Sequence, residues 1–187
     1  MATTMAGAPP DTTLLSRRCI HTLRLALERD AGPQAAGWLQ EAGFAGGEAL
    51  YAAFTAWLAA YHHVTRPATL DIRHLGEVLS LFLQAYGLGA ISMTPLSPAV
   101  MAIDSGDWWE ADPSAAAAFP ACHLSSGLIA DFLSRVAETP LGLLEVECRS
   151  RGDAQCRFLA GSPDTLQTVY GRMAEGAGYP DALGTAG

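Results

Sequence analysis

The chain has 187 residues, half of them hydrophobic and 16% charged, with a mean hydropathy of +0.18. This length predicts one domain with its own core, and the high hydropathy predicts apolar surface left over for a pocket, a partner or a second subunit. The net charge of −8, without a run of Lys or Arg, argues against nucleic acid as a ligand.

The sequence predicts a cytoplasmic protein. Residues 1–12, MATTMAGAPPDT, have neither a cationic start nor an apolar core, which predicts a disordered lead rather than a secretion signal. The uncharged runs 49–65 and 78–103 are interrupted by polar residues, Gly or Pro, so we expect no membrane span. In a reducing compartment, four cysteines indicate a metal site, a catalytic thiol or buried side chains rather than disulfides.

Two helices are predicted at the start of the chain. Residues 14–29 carry an apolar face with spacings of three and four, and Cys19 lies on that face, which predicts a core position. A second helix over 33–42 begins with proline and should stop at Gly43, because glycine commonly follows the last residue of a helix.

The middle of the chain predicts two more helices, two strands and a fifth helix. The segment 47–63 is apolar on nearly every side, which predicts a buried helix or one that faces a partner subunit. A helix over 71–86 starts with an aspartate cap. Short β-compatible runs at 89–94 and 99–104 are separated by prolines, and a helix follows over 121–138.

The last third predicts a β-hairpin over 141–148 and 154–160 and a final helix that starts at Ser162. Strands that come in neighbouring pairs favour antiparallel pairing, so the sequence predicts an α+β fold, an antiparallel sheet packed against several helices in a single domain. We place this domain at 13–176 and expect residues 177–187, rich in Gly and Ala, to form a flexible tail.

Three cysteines and two glutamates cluster around the predicted hairpin. Cys148 and Cys156 flank its turn, and Cys122 starts the preceding helix, where the helix dipole favours a thiolate. With Glu145 or Glu147 they make the four ligands that a tetrahedral Zn²⁺ site requires. The cysteines could equally be buried packing residues, and the spacing alone decides neither the metal nor the glutamate.

Strand periodicity raises an objection to such a site. Side chains alternate along a strand, so Glu145 and Cys148, three apart, should face opposite sides of the sheet. Only a bulge or a strand end near Cys148 lets both side chains reach one ion.

Longer stretches carry a family resemblance. ACHLSSGLIADFLSRV at 121–136, LLEVECRSRGDAQCRFLAGSP at 143–163 and LQTVYGRMAEG at 166–176 resemble the 4-vinyl reductase domain, and GWLQEAGFAGGEALYAAF at 37–54 extends the likeness. That family includes proteins linked to bacteriochlorophyll synthesis and the sensory domains of phenol- and xylene-responsive regulators. The resemblance implies an α+β fold, often dimeric, with an apolar ligand cavity beside the sheet.

The resemblance also implies a metal. In the aromatic-sensing members, three cysteines and one glutamate hold zinc, which implies Cys122, Glu145, Cys148 and Cys156 as the ligands here and selects Glu145 over Glu147. A site with four protein ligands has no open position for water, so this zinc would be structural and would tie the helix start to the hairpin.

The implied ligand residues differ from those of the phenol sensors. Ser126 and Leu143 stand where the sensors carry bulkier aromatic residues, which predicts a larger cavity and a ligand bigger than phenol. Ser105 stands where the sensors carry a tryptophan that holds the phenol hydroxyl. Trp108 and Trp109 lie nearby and could line the pocket, or belong to the core or to a dimer contact.

Three functions are compatible with these features. The first is a stand-alone, zinc-stabilised domain that binds a hydrophobic or aromatic small molecule and acts as sensor or carrier through a partner protein. The second is a tetrapyrrole vinyl-reduction protein or its helper, although no GxGxxG, P-loop or Ser/His/Asp set supports independent catalysis. The third is a dimeric interaction or adaptor protein. We expect a bacterial homodimer, favour binding over catalysis, and interpret three histidines as surface or core residues: His62, His63 and His74.

Overall fold

The computed structural model describes residues 15–184. Six α-helices lie in this range: α1 Arg17–Ala31, α2 Gln34–His62, α3 Ile72–Ala85, α4 His123–Ala137, α5 Pro163–Ala174 and α6 Tyr179–Ala182. Four strands in the same range, β1 Ser92–Ser97, β2 Val100–Ser105, β3 Gly142–Glu147 and β4 Cys156–Gly161, form an antiparallel sheet in the order β1-β2-β4-β3. The predicted α+β fold is confirmed. Residues 1–12, predicted as a disordered lead, lie outside the described residues.

The sheet separates two layers of helices. One face carries Ile103, Phe158 and Ala160 and packs against α2, α3 and α4 in the main hydrophobic core. The opposite face carries Val100 and Leu159 and packs against α5 and α6 in a smaller core. Strands β1 and β3 are the two edges, and the β3 edge lies next to the start of α4 and the long helix α2.

Strand β1 differs from its prediction at Pro95. The sequence predicted a strand that ends before this proline, whereas β1 continues through it to Ser97, with a register shift between the two residues. An edge strand tolerates a residue without an N–H, since one side of the strand has no partner in the sheet. The prolines therefore shape the β1–β2 hairpin without ending its first strand.

Helix α2 is continuous where the sequence predicted two helices separated at Gly43. Gly43 is buried against α4, and an added Cβ would lie 1.9 Å from the carbonyl oxygen of Leu124. Gly127 of α4 makes the matching approach from the other side, since its Cβ would lie 1.9 Å from the carbonyl oxygen of Gln40. The glycine signal was therefore misread: it marks a close crossing of two helices and not a helix end.

Helix α2 also supplies the aromatic part of the main core. Phe54 and Trp57 are buried, and the Phe54 ring centroid lies 5.0 Å from that of Phe82 and 5.5 Å from that of Phe132. The segment 47–63 thus faces the core of its own chain, the first of the two predicted alternatives. Among the described residues, no helix combines the length and the hydropathy that crossing a bilayer requires.

Helix α1 is rotated relative to its prediction. Cys19 was predicted in the core but is exposed, and Leu15 and Leu23 beside it are 55% and 52% exposed. The inward side carries Arg24, which is 1% exposed and donates from Nη1 to the carbonyl oxygen of Ala121 at 3.2 Å. A polar contact with the segment before α4 orients this helix, so the apolar periodicity pointed to the wrong face.

Part of the segment expected to be a flexible tail is folded. Residues 179–182 form α6, Ala182 is buried, and Arg172 donates from Nη1 to its carbonyl oxygen at 2.9 Å. The Tyr179 hydroxyl donates to Glu147 Oε1 at 2.8 Å and so fastens α6 to β3. The domain limits of 13–176 stay a prediction.

Candidate metal centre and neighbouring cavities

Four buried side chains meet where α4 begins, β3 ends and β4 begins. Cys122 is the N-cap of α4, Glu145 lies in β3, Cys148 directly follows β3, and Cys156 is the first residue of β4. One ligand atom from each lies within 4.8 Å of the others, and we refer to these four side chains as the metal cluster. The Cys122 Sγ is 3.8 Å from that of Cys148 and 4.0 Å from that of Cys156. A tetrahedron with metal–sulfur distances of about 2.3 Å has edges of about 3.8 Å, so this spacing suits a thiolate-bound ion.

A β-bulge brings Glu145 and Cys148 to the same side. The pairing of β3 with β4 shifts register between Glu145 and Glu147, which leaves Val146 as the extra residue. The insertion cancels the alternation that would have separated the two side chains. Glu147 lies on the opposite face, where it accepts a hydrogen bond from Tyr179. The structure thus contains the irregularity that the sequence argument required and places Glu145, not Glu147, in the cluster.

Hydrogen bonds hold the turn between the last two cysteines. Asp153 Oδ2 accepts the N–H of Cys148 at 2.7 Å, and the Cys148 carbonyl accepts the N–H groups of Arg151 at 2.9 Å and Asp153 at 3.2 Å. Gly152 has a φ of 102°, a left-handed conformation that glycine adopts without steric cost. This tight turn presents Cys148 and Cys156 to the same point in space.

The cluster concentrates groups that become negative. Burial raises the pKa of Glu145 to about 9, and hydrogen bonds from the thiols of Cys122 and Cys156 lower the pKa of Cys148. Glu145 Oε2 accepts the N–H of Cys122 at 2.8 Å, but the buried Oε1 has no hydrogen-bond partner among the described residues. A buried carboxylate oxygen beside three thiols calls for a compensating cation. These residues therefore fit a divalent metal ion.

A second buried carboxylate supports the start of α4. Glu110 is 1% exposed and accepts the N–H groups of Leu124 at 3.0 Å and Ser125 at 2.7 Å, so it caps the helix that carries Cys122. Burial raises its pKa to about 7, against the opposing effect of the hydrogen bonds from Ser125 and Leu124. The sequence analysis gave Glu110 no role, because a cap that comes from far before the helix leaves no local motif.

The cavity beside the sheet is not enlarged as predicted. It has a volume of about 10 Å³ and is lined by Trp108 and Leu143, among others. That volume corresponds to about one water molecule. Trp108 occupies the space: it is 3% exposed, its Nε1 donates to Ser125 Oγ at 2.8 Å, and its ring centroid lies 5.6 Å from that of Phe158. The volume saved by smaller side chains elsewhere is thus filled by an indole.

The other predicted ligand residues are dispersed. Ser126 and Leu143 line an open groove of about 520 Å³ that passes beside Glu145. Ser105 is buried and hydrogen-bonded within its own turn, and Trp109 is buried, and neither lines this groove or the internal cavity. The structure therefore brings the four predicted metal ligands together but does not bring the five predicted ligand contacts into one site.

The three histidines agree with their interpretation as surface or core residues. His62, His63 and His74 are all exposed. The His62 ring packs against Trp57 with 4.8 Å between ring centroids, which explains its position at the end of an apolar helix.

Comparison with known proteins places the metal cluster inside a family domain. Residues 109–162 match the family model of the 4-vinyl reductase domain, and this segment contains all four residues of the cluster. No curated protein matches the chain significantly.

Two solved structures share the fold. The phenol-responsive sensory domain of the transcription activator PoxR, solved with phenol, is 19% identical with a TM-score of 0.60 over 87% of this chain and 82% of that one. A vinyl-4-reductase family protein from Methanocaldococcus jannaschii is 16% identical with a TM-score of 0.52 over 80% of this chain and 83% of that one. The resemblance to the 4-vinyl reductase domain family is confirmed: residues 109–162 carry its domain, and the helices and strands around it have the fold of both structures.

Proposed function

We propose that this chain is a zinc-stabilised domain that binds a hydrophobic or aromatic small molecule and acts as a sensor or carrier through a partner protein. The observation that carries this proposal is the convergence of three buried thiols and one carboxylate within 4.8 Å of one another. Their segment matches the 4-vinyl reductase domain, and the PoxR sensory domain, which shares the fold, was solved with phenol.

Zinc is the proposed metal because of the donor set. Three thiolates and a carboxylate in tetrahedral spacing favour zinc over the harder cations Mg²⁺ and Ca²⁺, which prefer oxygen ligands. Cys122, Glu145, Cys148 and Cys156 would fill all four positions, which is typical of a structural rather than a catalytic zinc. Such an ion would join the start of α4 to both strands of the β3–β4 hairpin.

Binding is proposed in place of catalysis because the chemistry of the four-ligand cluster is closed. A metal with four protein ligands has no position for a substrate or an activated water. A homodimer and a cytoplasmic location remain proposals. The exposed leucines on the outer side of α1, Leu15, Leu23 and Leu25, are apolar surface that a second copy could cover.

Native mass spectrometry of the purified full chain, with and without a chelator, tests the proposal. We expect one zinc ion per chain, a retained or added hydrophobic molecule, and a lower melting temperature once the chelator has removed the metal. A chain that folds equally well with no metal would contradict the structural role. Catalytic turnover of a tetrapyrrole in the presence of a reductant would favour the vinyl-reduction alternative.

A further inference from the structure

The space between the sheet and its helices is too small for an organic ligand. Its volume of about 10 Å³ compares with the roughly 150 Å³ that an apolar cavity needs to hold benzene. Trp108, Phe132 and Phe158 would all have to move to admit one. If this chain binds a hydrophobic molecule, the structure points to another place.

A larger apolar groove lies at the end of the sheet away from the metal cluster. Its floor is formed by the inner face of the β1–β2 hairpin and of β4, through Met93, Met101 and Ala160, and its walls by the segment before α3 and the last turns of α4. Its volume is about 630 Å³, within the range of roughly 300–1,000 Å³ that is usual for small-molecule sites. We refer to it as the hairpin groove.

The lining of the hairpin groove has no charged side chain. Its polar side chains are Ser97 and Ser162, and both already have partners: Ser97 Oγ accepts the N–H of Ala99 at 3.2 Å, and Ser162 Oγ accepts that of Thr165 at 3.2 Å. In contrast, the groove beside Glu145 is also lined by Arg151 and other polar residues. In a chain with a net charge of −8, an uncharged groove of this size favours a neutral, apolar guest.

Three prolines explain why this groove stays open and poor in hydrogen-bond donors. Pro95 lies in edge strand β1, Pro98 in the turn of the β1–β2 hairpin, and Pro67 begins the short 3₁₀ turn before α3. None has a backbone N–H, and each restricts the chain to a fixed φ. The walls are therefore stiff and offer mostly carbon, so binding would not have to order a flexible loop.

We infer that the hairpin groove binds a neutral hydrocarbon ligand, aliphatic or aromatic, through shape and apolar contact without an ionic anchor. This inference rests on the proposed function and gives it a site and a ligand class. The site is separated from the internal cavity by Leu133, which lines both spaces. A guest in the hairpin groove would lie against the C-terminal half of α4, whose N-terminus carries Cys122 of the metal cluster.

A fluorescent neutral hydrocarbon, N-phenyl-1-naphthylamine, provides the test on the metal-loaded full chain. Ala68→Trp at the exposed rim of the hairpin groove should fill it, and Met101→Glu should place a charge on its floor. Ala174→Trp, on the exposed rim of the groove beside Glu145, is the matched control. Zinc content and melting temperature are measured for every variant, and Ala68→Trp keeps the test decisive if Met101→Glu fails to fold.

We expect both hairpin-groove variants to raise the dissociation constant of the probe by about tenfold or more, and Ala174→Trp to leave it within about twofold. A loss of binding in Ala174→Trp alone, or equal binding by all variants, would overturn the site while leaving small-molecule binding intact. The absence of saturable binding by the unmodified chain would overturn the proposed function as well.

Discussion

The two carboxylate oxygens of Glu145 have different roles. Oε2 accepts the N–H of Cys122, and Oε1 is buried among the thiols without a hydrogen-bond partner among the described residues. With a cation bound at the cluster, this one side chain would connect α4 to β3 twice, once through the backbone of Cys122 and once through the ion. The contact therefore sets the position of the helix start as well as the ligand set.

Replacing one thiol should remove the metal and destabilise the fold. Cys156→Ser leaves three ligands and should lose zinc, and the loss of about 4 kcal/mol of binding free energy would lower the melting temperature of a chain of this size by about 10 °C. Metal analysis and a thermal melt measure both effects. Cys19→Ser is the control, because Cys19 is exposed on α1 and should change neither quantity. Unchanged zinc in Cys156→Ser would remove Cys156 from the ligand set.

Glu110 should make stability depend on pH. Because burial raises its pKa from 4.5 to about 7, the folded chain holds a proton between these pH values that the unfolded chain has released. Stability therefore falls as pH rises through this interval, by about 2 to 3 kcal/mol. Glu110→Gln cannot titrate. The free energy of unfolding of the unmodified chain minus that of the variant should decrease by this amount between about pH 5 and 7.5, measured by chemical denaturation of the metal-loaded proteins. Parallel pH curves would show that Glu110 titrates normally.

The crossing of helices α2 and α4 determines where the metal cluster can form. Gly43 and Gly47 of α2 and Gly127 of α4 let the two backbones approach closely, and α4 carries Cys122 at its N-terminus. An added Cβ at Gly47 would lie 2.4 Å from Asp131 Oδ2, so the contact is tight over more than one turn. Because the crossing positions α4, it also positions the helix start against the hairpin.

Substitution at the crossing should destabilise the chain. Gly43→Ala forces the helices apart and should cost about 2 to 3 kcal/mol, typical of an overpacked contact. Gly37→Ala is the matched control in the same helix, because a Cβ there meets nothing within 4 Å and alanine should stabilise the helix by about 0.5 to 1 kcal/mol. Urea denaturation of both variants measures the difference. Equal effects of the two substitutions would mean that α2 and α4 adapt without strain.

Sequence patterns predicted helices and strands well where the signal was local. The Asp71 and Ser162 caps were read correctly because each side chain accepts an N–H from the first turn of its own helix. Gly43 and the apolar face of α1 were misread because their meaning depends on segments distant in sequence. Gly43 contacts Leu124, and α1 is oriented by Arg24 bonded to Ala121, partners that no local period reveals.

Across the full length of the domain, the metal cluster and the hairpin groove lie at opposite ends of the same sheet and of the same helix α4. The cluster holds the N-terminus of α4 and the groove borders its C-terminal half. A rigid helix between them would give a ligand in the groove a physical connection to the metal end. The connection is one of packing and needs no moving loop.

Removing the metal should loosen one end of the domain. The N–H groups of Cys122 and Cys148 are held by the side chains of Glu145 and Asp153, so their hydrogen exchange should accelerate after chelation. Leu159, at the centre of the sheet, should stay protected. Exchange mass spectrometry measures both, and reloading with zinc should restore protection. A uniform increase across the sheet would mean that the ion supports the whole fold and not one end.

The residues of the metal cluster could be predicted from the sequence, and a place for the ligand could not. Family resemblance selected Glu145 over Glu147, a choice that periodicity left open, and the bulge at Val146 gives the geometric reason. The ligand contacts failed as a group because one residue outside the aligned positions, Trp108, fills the expected space. The smaller side chain at Ser126 leaves its free volume at a different surface.

The extra residue in β3 makes metal loading a check on strand alignment. If β3 paired with β4 one residue out of step, Glu145 or Cys148 would turn toward the opposite helical layer and the ion would lose a ligand. Only the correctly aligned hairpin can then capture the ion, and capture in turn locks that alignment. A chain that folds in the presence of zinc would thus sort its own edge-strand pairings, keeping the correct one and leaving the others free to reopen.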